Sequence, residues 1–182
     1  MRIDLANGTM TNVATGLSCP EGVALSGGAL FTVENPVGDE CLGHDLKPVA
    51  QLTRIDLASG AQTKVAGLLG PHGLDASGGD AYVCEWGAHQ LTRVDLKSGT
   101  KTRVAPLASP SGCAVGGGYA YAVEQGDTDG SLVSISLSSG AKATRDGGVS
   151  ADSAVGLFQT VFGSADFDPL VGKFPLLEQA LH

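Results

Sequence analysis

The sequence predicts an all-β fold made of repeated four-stranded antiparallel sheets, and two internal repeats predict it. The first repeat is QLTRIDLASGAQTKVA at 51–66, which returns as QLTRVDLKSGTKTRVA at 90–105, with weaker copies in MRIDLANGTMTNVA and SLVSISLSSGAKAT. The second repeat lies between these copies, as PEGVALSGGALFTVE, PHGLDASGGDAYVCE and PSGCAVGGGYAYAVE. Self-similarity at a period of about 40 residues is typical of folds that repeat one supersecondary unit.

Each full unit is predicted to form four short strands. Runs such as GVAL, LFTVE, LTRIDL and TKVA are too short and too β-branched for helices, and turn-forming residues bound them. The paired glycines of the second repeat suit two-residue hairpin turns, which need positive φ, at Gly27-Gly28, Gly78-Gly79 and Gly117-Gly118. The aspartates of the first repeat are predicted to accept hydrogen bonds within turns, namely Asp4, Asp56 and Asp95. Four antiparallel strands in about 40 residues are the pattern of a β-propeller blade.

The chain therefore holds about three complete blades, preceded by the two outer strands of another. The propeller repeats cover 1–146, with blades at about 18–66, 70–105 and 109–146. Propellers usually close with about four to eight blades, so we expect a second copy, further sequence or the C-terminal residues to complete the ring. Residues 147–182 form a C-terminal appendage, where the helical spacing of four apolar side chains predicts a short helix over 152–162: Val155, Phe158, Val161 and Phe162.

The composition favours a globular protein with an acidic surface. Of 182 residues 42% are apolar, and the formal net charge of −8 argues against nucleic acid or an anionic membrane as partner. The sequence shows no signal peptide and no apolar run of membrane-spanning length, so a cytoplasmic location is expected. The four cysteines have no CxxC spacing, which favours free thiols over disulfides at Cys19, Cys41, Cys84 and Cys113.

The stretch PHGLDASGGDAYVCEWGAHQLTRVDL resembles the repeat unit of NHL-type propellers, and especially that of virginiamycin B lyase-like proteins. The shared features are the PxG motif, the Gly-rich turn, the aromatic strand and the EWG stretch. The senescence-marker/gluconolactonase propellers are a more distant resemblance. The lyase-like proteins are metal-assisted eliminating enzymes in which a histidine acts as base and acids help to hold a divalent cation. The resemblance covers roughly 1–146 and implies these roles for His72 and Glu85.

The hairpin geometry predicts a shared rim. In a two-residue hairpin centred on Gly78-Gly79, His72 directly opposes Glu85. The same arithmetic in the other units opposes Glu21 to Glu34 and Ser111 to Glu124. If these hairpins are the inner strands of each blade, all six side chains lie at one end of the central channel.

Two acidic loops are expected at the same rim, because they follow the second strand of a hairpin. One is NPVGDECLGHDLKPVA, with Asp39, Glu40, His44 and Asp45, and the other is QGDTDG, with Asp127 and Asp129. Converging carboxylates raise one another's proton affinity unless a cation lies between them, which favours Ca²⁺ or Mg²⁺ as cofactor. The predicted metal ligands are Glu34, Glu85, Glu124, Asp127 and Asp129. The alternatives are solvated acids, ordinary turn chemistry, and glutamates that recur because they tie loops together.

The predicted function is a propeller binding module whose acidic rim holds a small polar ligand, a protein partner or a divalent cation. The predicted ligand-binding residues are Glu21, His44, Trp86 and Ser111, with packing between blades as the alternative role of Trp86. The alternative function is a metal-assisted lyase or hydrolase acting on a small ester or lactone, with His72 as general base. For His72 the other interpretation is a bond to Glu85 or to the backbone. No motif indicates an organic cofactor, and the sequence leaves open whether the chain is an enzyme.

Overall fold

The computed structural model describes residues 1–35, 50–126 and 130–149. These residues form fourteen strands in four antiparallel sheets, and they contain no helix, so the predicted all-β class is confirmed. The helix predicted over 152–162 lies outside the described residues. Nothing in the described part of the chain is a helix long and apolar enough to cross a membrane.

The first sheet has only two strands, and three four-stranded sheets follow it. We call the two-stranded sheet the half-blade; it consists of β1 (Arg2–Ile3) and β2 (Met10–Thr11). Blade 1 consists of β3 (Pro20–Ser26), β4 (Ala29–Glu34), β5 (Gln51–Asp56) and β6 (Gln62–Gly67). Blade 2 consists of β7 (Pro71–Ser77), β8 (Asp80–Glu85), β9 (Gln90–Asp95) and β10 (Lys101–Pro106). Blade 3 consists of β11 (Pro110–Gly116), β12 (Tyr119–Glu124), β13 (Gly130–Ser136) and β14 (Lys142–Val149).

The strands of each blade follow one another in sequence order, joined by the predicted turns. In blade 2 the inner hairpin turns at Gly78 (φ 60°) and Gly79 (φ 88°), and the equivalent glycine pairs of blades 1 and 3 also have positive φ. In the next hairpin Oδ1 of Asp95 accepts a hydrogen bond of 2.7 Å from the Ser98 amide. These contacts with Ser98 and the Lys97 amide hold the pKa of Asp95 below its ordinary value. The predictions of these glycine turns and of a turn role for the aspartates are confirmed.

The apolar core lies between the blades rather than inside any one sheet. The interface of blades 1 and 2 contains Phe31, Val33, Leu52, Leu74 and Val83. That of blades 2 and 3 contains Tyr82, Leu91, Ala122, Val133 and Ile135. Burial of this apolar surface stabilises the stack, and each sheet therefore depends on its neighbours.

The inner strands meet along the central edge of the stack, where β7 contacts both β3 and β11. A glycine permits this approach. A Cβ atom on Gly73 would lie 2.6 Å from the Cys113 amide nitrogen and 2.7 Å from Cα of Gly112. In blades 1 and 2 the glycine of the Pro-x-Gly motif, Gly22 or Gly73, is thus the position at which the next inner strand comes close, and the preceding residue lies beside this crossing.

Candidate functional site

Each inner strand begins with a β-bulge at its Pro-x-Gly motif. In blade 2 Pro71 pairs with Glu85, whereas the next pair is Gly73 with Cys84, so His72 is the extra residue. The same one-residue shift occurs at the starts of β3 and β11, where the corresponding residues are Glu21 and Ser111. A bulge redirects the side chain of the extra residue.

The bulge corrects the predicted pairing. The prediction that His72 directly opposes Glu85 is wrong, as are the pairs of Glu21 with Glu34 and of Ser111 with Glu124, because a proline takes the opposed position each time. A residue in the left-handed region precedes each proline: Cys19 (φ 47°), Gly70 (φ 54°) and Ser109 (φ 43°). This local turn shifts the ladder by one residue, and a pattern of alternating side chains does not reveal such a shift.

The strand-end glutamates are buried acceptors that tie each blade together. Oε2 of Glu85 accepts a 2.6 Å hydrogen bond from the Leu69 amide, and Oε1 accepts hydrogen bonds from the Thr92 hydroxyl and, at 3.2 Å, from Nε2 of Gln90. Glu34 repeats this arrangement with Ser18, Thr53 and Gln51. In blade 3 Oε1 of Glu124 accepts from the Ala108 amide (2.7 Å) and from Nζ of Lys142 (2.8 Å). Each glutamate therefore joins the loop before its inner strand to an outer strand of the same blade.

The protonation of Glu34 reflects this network. Burial raises the pKa of its carboxyl group, but the hydrogen bonds from Thr53, Ser18 and Gln51 together outweigh burial and bring the pKa below its ordinary value. The ionised form is thus the one that the blade stabilises.

These contacts bear on the predicted cation. In Glu34 and Glu85 both carboxylate oxygens already accept hydrogen bonds, so a cation would have to displace N–H and O–H donors. No group of three or more His, Cys, Asp or Glu in 1–35, 50–126 and 130–149 is placed to hold a metal ion. A cation held by Glu34, Glu85 and Glu124 stays a prediction, and its binding to the first two would have to break these hydrogen bonds. His44, Asp127 and Asp129 lie outside the described residues, and a Ca²⁺ or Mg²⁺ site there stays a prediction.

The bulges bring together Glu21 and His72, which belong to neighbouring blades. Oε2 of Glu21 lies 2.8 Å from Nδ1 of His72, and the two side chains are 30% and 25% exposed. The backbone makes this contact possible, because a Cβ atom on Gly22 would lie 3.0 Å from the His72 carbonyl oxygen. The pair is partly exposed and is held by two different sheets, whereas Nε2 of His72 is buried.

The Trp86 ring lies next to His72, and the His89 ring lies next to Trp86. The Trp86 amide, just after β8, donates a 2.7 Å hydrogen bond to the Gly70 carbonyl oxygen, which fixes this loop beside the start of β7. The Trp86 ring centroid lies 6.5 Å from that of His72 in an edge-on arrangement, and 6.1 Å from that of His89. We call Glu21, His72, Trp86 and His89 the rim cluster. The sequence analysis did not predict His89 as part of the site. This histidine does not recur in the other repeats, so the comparison of repeats gave no signal for it.

Ser111 occupies the equivalent position in blade 3. Its Oγ atom is buried and makes no hydrogen bond with the described part of the chain. The structure thus places three of the predicted residues in one row of bulges, in the order Glu21, His72, Ser111, and contact within this row is shown between the first two.

A second carboxylate on the inner strands was not predicted. Oδ2 of Asp75 accepts a 2.7 Å hydrogen bond from the Val115 amide of blade 3, and Oδ1 accepts one of 2.8 Å from the Ala76 amide. Burial raises the pKa of Asp75 above its ordinary value, although these two hydrogen bonds oppose the rise. The bond to Val115 makes Asp75 a link between blades 2 and 3.

Of the cysteines that the structure describes, Cys19 differs from the prediction, and Cys41 lies outside the described residues. Cys84 and Cys113 are free, whereas Cys19 is disulfide-bonded, so the expectation of free thiols is wrong for Cys19. Disulfides persist mainly in oxidising compartments, and this feature gives the expected cytoplasmic location no support.

Comparison with known proteins supports the fold alone. One similar solved structure is that of a nidogen/laminin complex, which contains a β-propeller. The aligned region covers 70% of this chain and 48% of the matched chain, with a TM-score of 0.57 and 11% sequence identity. Another is hydrazine synthase from Kuenenia stuttgartiensis. The aligned region covers 74% of this chain and 37% of the matched chain, with a TM-score of 0.55 and 22% sequence identity. The chain thus spans less than half the length of either match. No protein-family model and no curated protein matches the chain, so membership of the NHL-type or virginiamycin B lyase-like families stays a prediction.

Proposed function

We propose that the chain is a propeller binding module that holds a small polar ligand, carrying a positively charged group, at the rim cluster. The main observation in support is the contact of 2.8 Å between Glu21 and His72, which joins two blades and leaves both side chains partly exposed. A carboxylate and an indole ring that each lie next to His72 suit a cationic ligand, because the negative charge and the aromatic ring both attract it. The net charge of −8 favours the approach of such a ligand.

The position of Trp86 provides a direct test, because it is the single tryptophan of the chain. Titration with choline chloride, against sodium chloride at equal ionic strength, should change the Trp86 emission in a saturable way. Glu21→Gln removes the charge and keeps the shape, so it should abolish most of the response. Asp95→Asn makes the same charge change in the outer turn of blade 2 and should leave the response intact. Emission that choline leaves unchanged up to about 10 mM would contradict the proposal.

The second candidate is a hydrolase or lyase for a small ester or lactone, and the same contact favours it. A carboxylate that accepts a hydrogen bond from Nδ1 orients an imidazole for proton transfer, as in other acid–base sites. The test measures hydrolysis of p-nitrophenyl acetate and γ-butyrolactone by the full chain. A rate that falls about a hundredfold in His72→Ala would favour this candidate. Equal rates for the two chains would remove His72 from any such reaction.

A further inference from the structure

Two free cysteines face each other across the interface of blades 2 and 3. Cys84 lies on β8 and is fully buried, whereas Cys113 lies on β11 and is partly exposed. Sγ of Cys84 lies 3.4 Å from the Gly112 carbonyl oxygen of blade 3, and Sγ of Cys113 lies 3.4 Å from the Tyr82 carbonyl oxygen of blade 2. Each thiol thus donates a hydrogen bond to the strand that carries the other thiol.

The backbone brings these two cysteines together at the crossing of the inner strands. Gly73 pairs with Cys84 in the ladder of β7 and β8, and a Cβ atom on Gly73 would lie 2.6 Å from the Cys113 amide nitrogen. The two thiols also lie within hydrogen-bonding reach of each other. Cys113 therefore crosses blade 2 at the ladder position of Cys84.

The repeat has apolar residues at the equivalent positions of the interface between blades 1 and 2. Val33 of blade 1 is the equivalent of Cys84, and Leu74 of blade 2 is the equivalent of Cys113. Val33 and Leu74 are both buried in one core cluster. A free cysteine can serve as a small apolar residue, but packing alone gives no reason for cysteine at both positions of one interface.

We propose that Cys84 and Cys113 form a disulfide between blades 2 and 3 by exchange with a small-molecule disulfide such as oxidised glutathione. The bond would fasten the two inner hairpins to each other at the central edge of the stack. The disulfide bond of Cys19 is consistent with an oxidising compartment, where a second such bond would persist. This proposal is independent of the ligand at the rim cluster.

The exchange takes two steps and begins at Cys113. Burial, and next the neighbouring Cys113 thiol, raise the pKa of Cys84 well above its ordinary value, so Cys84 holds little of the reactive thiolate. The Cys113 thiolate attacks one sulfur of the small disulfide, takes up half of it and releases the other half as a thiol. The Cys84 thiolate then attacks Sγ of Cys113 and releases the second half. The two cysteines lose two protons and two electrons, and the small disulfide is reduced to two thiols.

The test measures this linkage in the full chain. The chain is kept folded, or is refolded from urea, in an excess of oxidised over reduced glutathione, and is then acidified, alkylated and digested with trypsin. Trypsin cuts after lysine and arginine, so Cys84 lies in the peptide 65–93 and Cys113 in the peptide 104–142, each without another cysteine. Mass spectrometry should find these two peptides linked in most chains.

Two variants separate the two steps in the folded chain. Cys84→Ala removes the second thiol, so Cys113 should keep a bound glutathione. In Cys113→Ser the Cys84 thiol should stay free, because it is fully buried. Glutathione on Cys84 of Cys113→Ser, with none on Cys113 of Cys84→Ala, would overturn the assignment of Cys113 as the thiol that reacts first.

Melting provides a second measurement of the bond. The disulfide closes a loop of about 30 residues, so the oxidised chain should melt about 5 °C or more above Cys113→Ser in the same buffer. Dithiothreitol should abolish this difference. Full alkylation of both cysteines after refolding in oxidised glutathione would overturn the proposal, as would linkage of Cys113 to a second chain, because refolding leaves access to neither thiol limiting.

Discussion

Nδ1 of His72 lies 2.8 Å from Oε2 of Glu21, although these residues belong to different blades and the rest of blade 1 separates them in the sequence. Both are the extra residues of β-bulges, so the contact arises from a distortion that the two inner strands share. Residues in this row can therefore act together at the central edge of the stack. The strand-end glutamates, in contrast, bond within their own blades.

The contact of Glu21 with His72 should contribute modestly to stability. In a double-mutant cycle with Glu21→Ala and His72→Ala, we expect a coupling energy of about 0.5 kcal/mol, because both side chains are partly exposed and water screens their attraction. Urea unfolding of the four chains measures this energy. A coupling energy of zero would contradict a stabilising role for this pair.

Glu34 should make stability depend on pH in the acid range. Its pKa is lower in the folded chain than the ordinary value of 4.5, so its stabilising effect is present above that value and is lost as the pH falls through the folded-state pKa. Glu34→Gln should cost about 1–3 kcal/mol at pH 7, because the side-chain amide cannot accept at both positions. The difference from the unaltered chain should narrow as the pH falls, as measured by urea unfolding at several pH values.

Thr53→Val provides the matched variant for this prediction. It removes a hydroxyl donor that lowers the pKa of Glu34 and keeps the carboxylate. The loss of stability on acidification should then be smaller than in the unaltered chain and be complete at a higher pH, because the folded-state pKa lies closer to that of the unfolded chain. A constant difference between Glu34→Gln and the unaltered chain at every pH would contradict the assignment.

The approach of the inner strands predicts a strong contrast between two glycines. Gly73→Ala would place Cβ 2.6 Å from the Cys113 amide nitrogen, in a backbone contact between blades, whereas a Cβ on Gly112 meets nothing within 4 Å. We expect Gly73→Ala to destabilise the chain by about 2–3 kcal/mol or more, and Gly112→Ala to change stability by less than about 0.5 kcal/mol. Thermal melting compares them, and equal effects would argue against this crossing of strands β7 and β11.

Equivalent isoleucines of the half-blade and blade 1 should differ in the same way. Ile55 is fully buried, whereas Ile3, at the same position of the repeat, is 51% exposed. Ile55→Ala should cost about 2–5 kcal/mol, because it leaves a cavity, and Ile3→Ala about 0.5 kcal/mol or less. Urea unfolding measures both values. A large loss for Ile3→Ala would mean that β1 is covered in solution.

The sequence by itself determined the repeated blade and its turns. Glycine pairs such as Gly78-Gly79 need positive φ, and aspartates such as Asp95 bond their own turn, so these features depend on neighbours in the chain. The short β-branched runs between turn-forming residues likewise predicted which segments become strands. The predicted hairpins also placed Glu21, His72 and Ser111 in one shared row, although they did not predict which residues contact them.

Only the tertiary structure decided those partners. The bulge at His72 shifts the ladder by one residue, so that Pro71 faces Glu85, and a period of two in the sequence does not record such a shift. The contact of His72 with Glu21 then depends on how closely two blades pack, which the glycines permit but do not specify. For the same reason the exposed Val23 and the buried Leu74 look alike in sequence, since the difference is made by the sheet that lies against each of them.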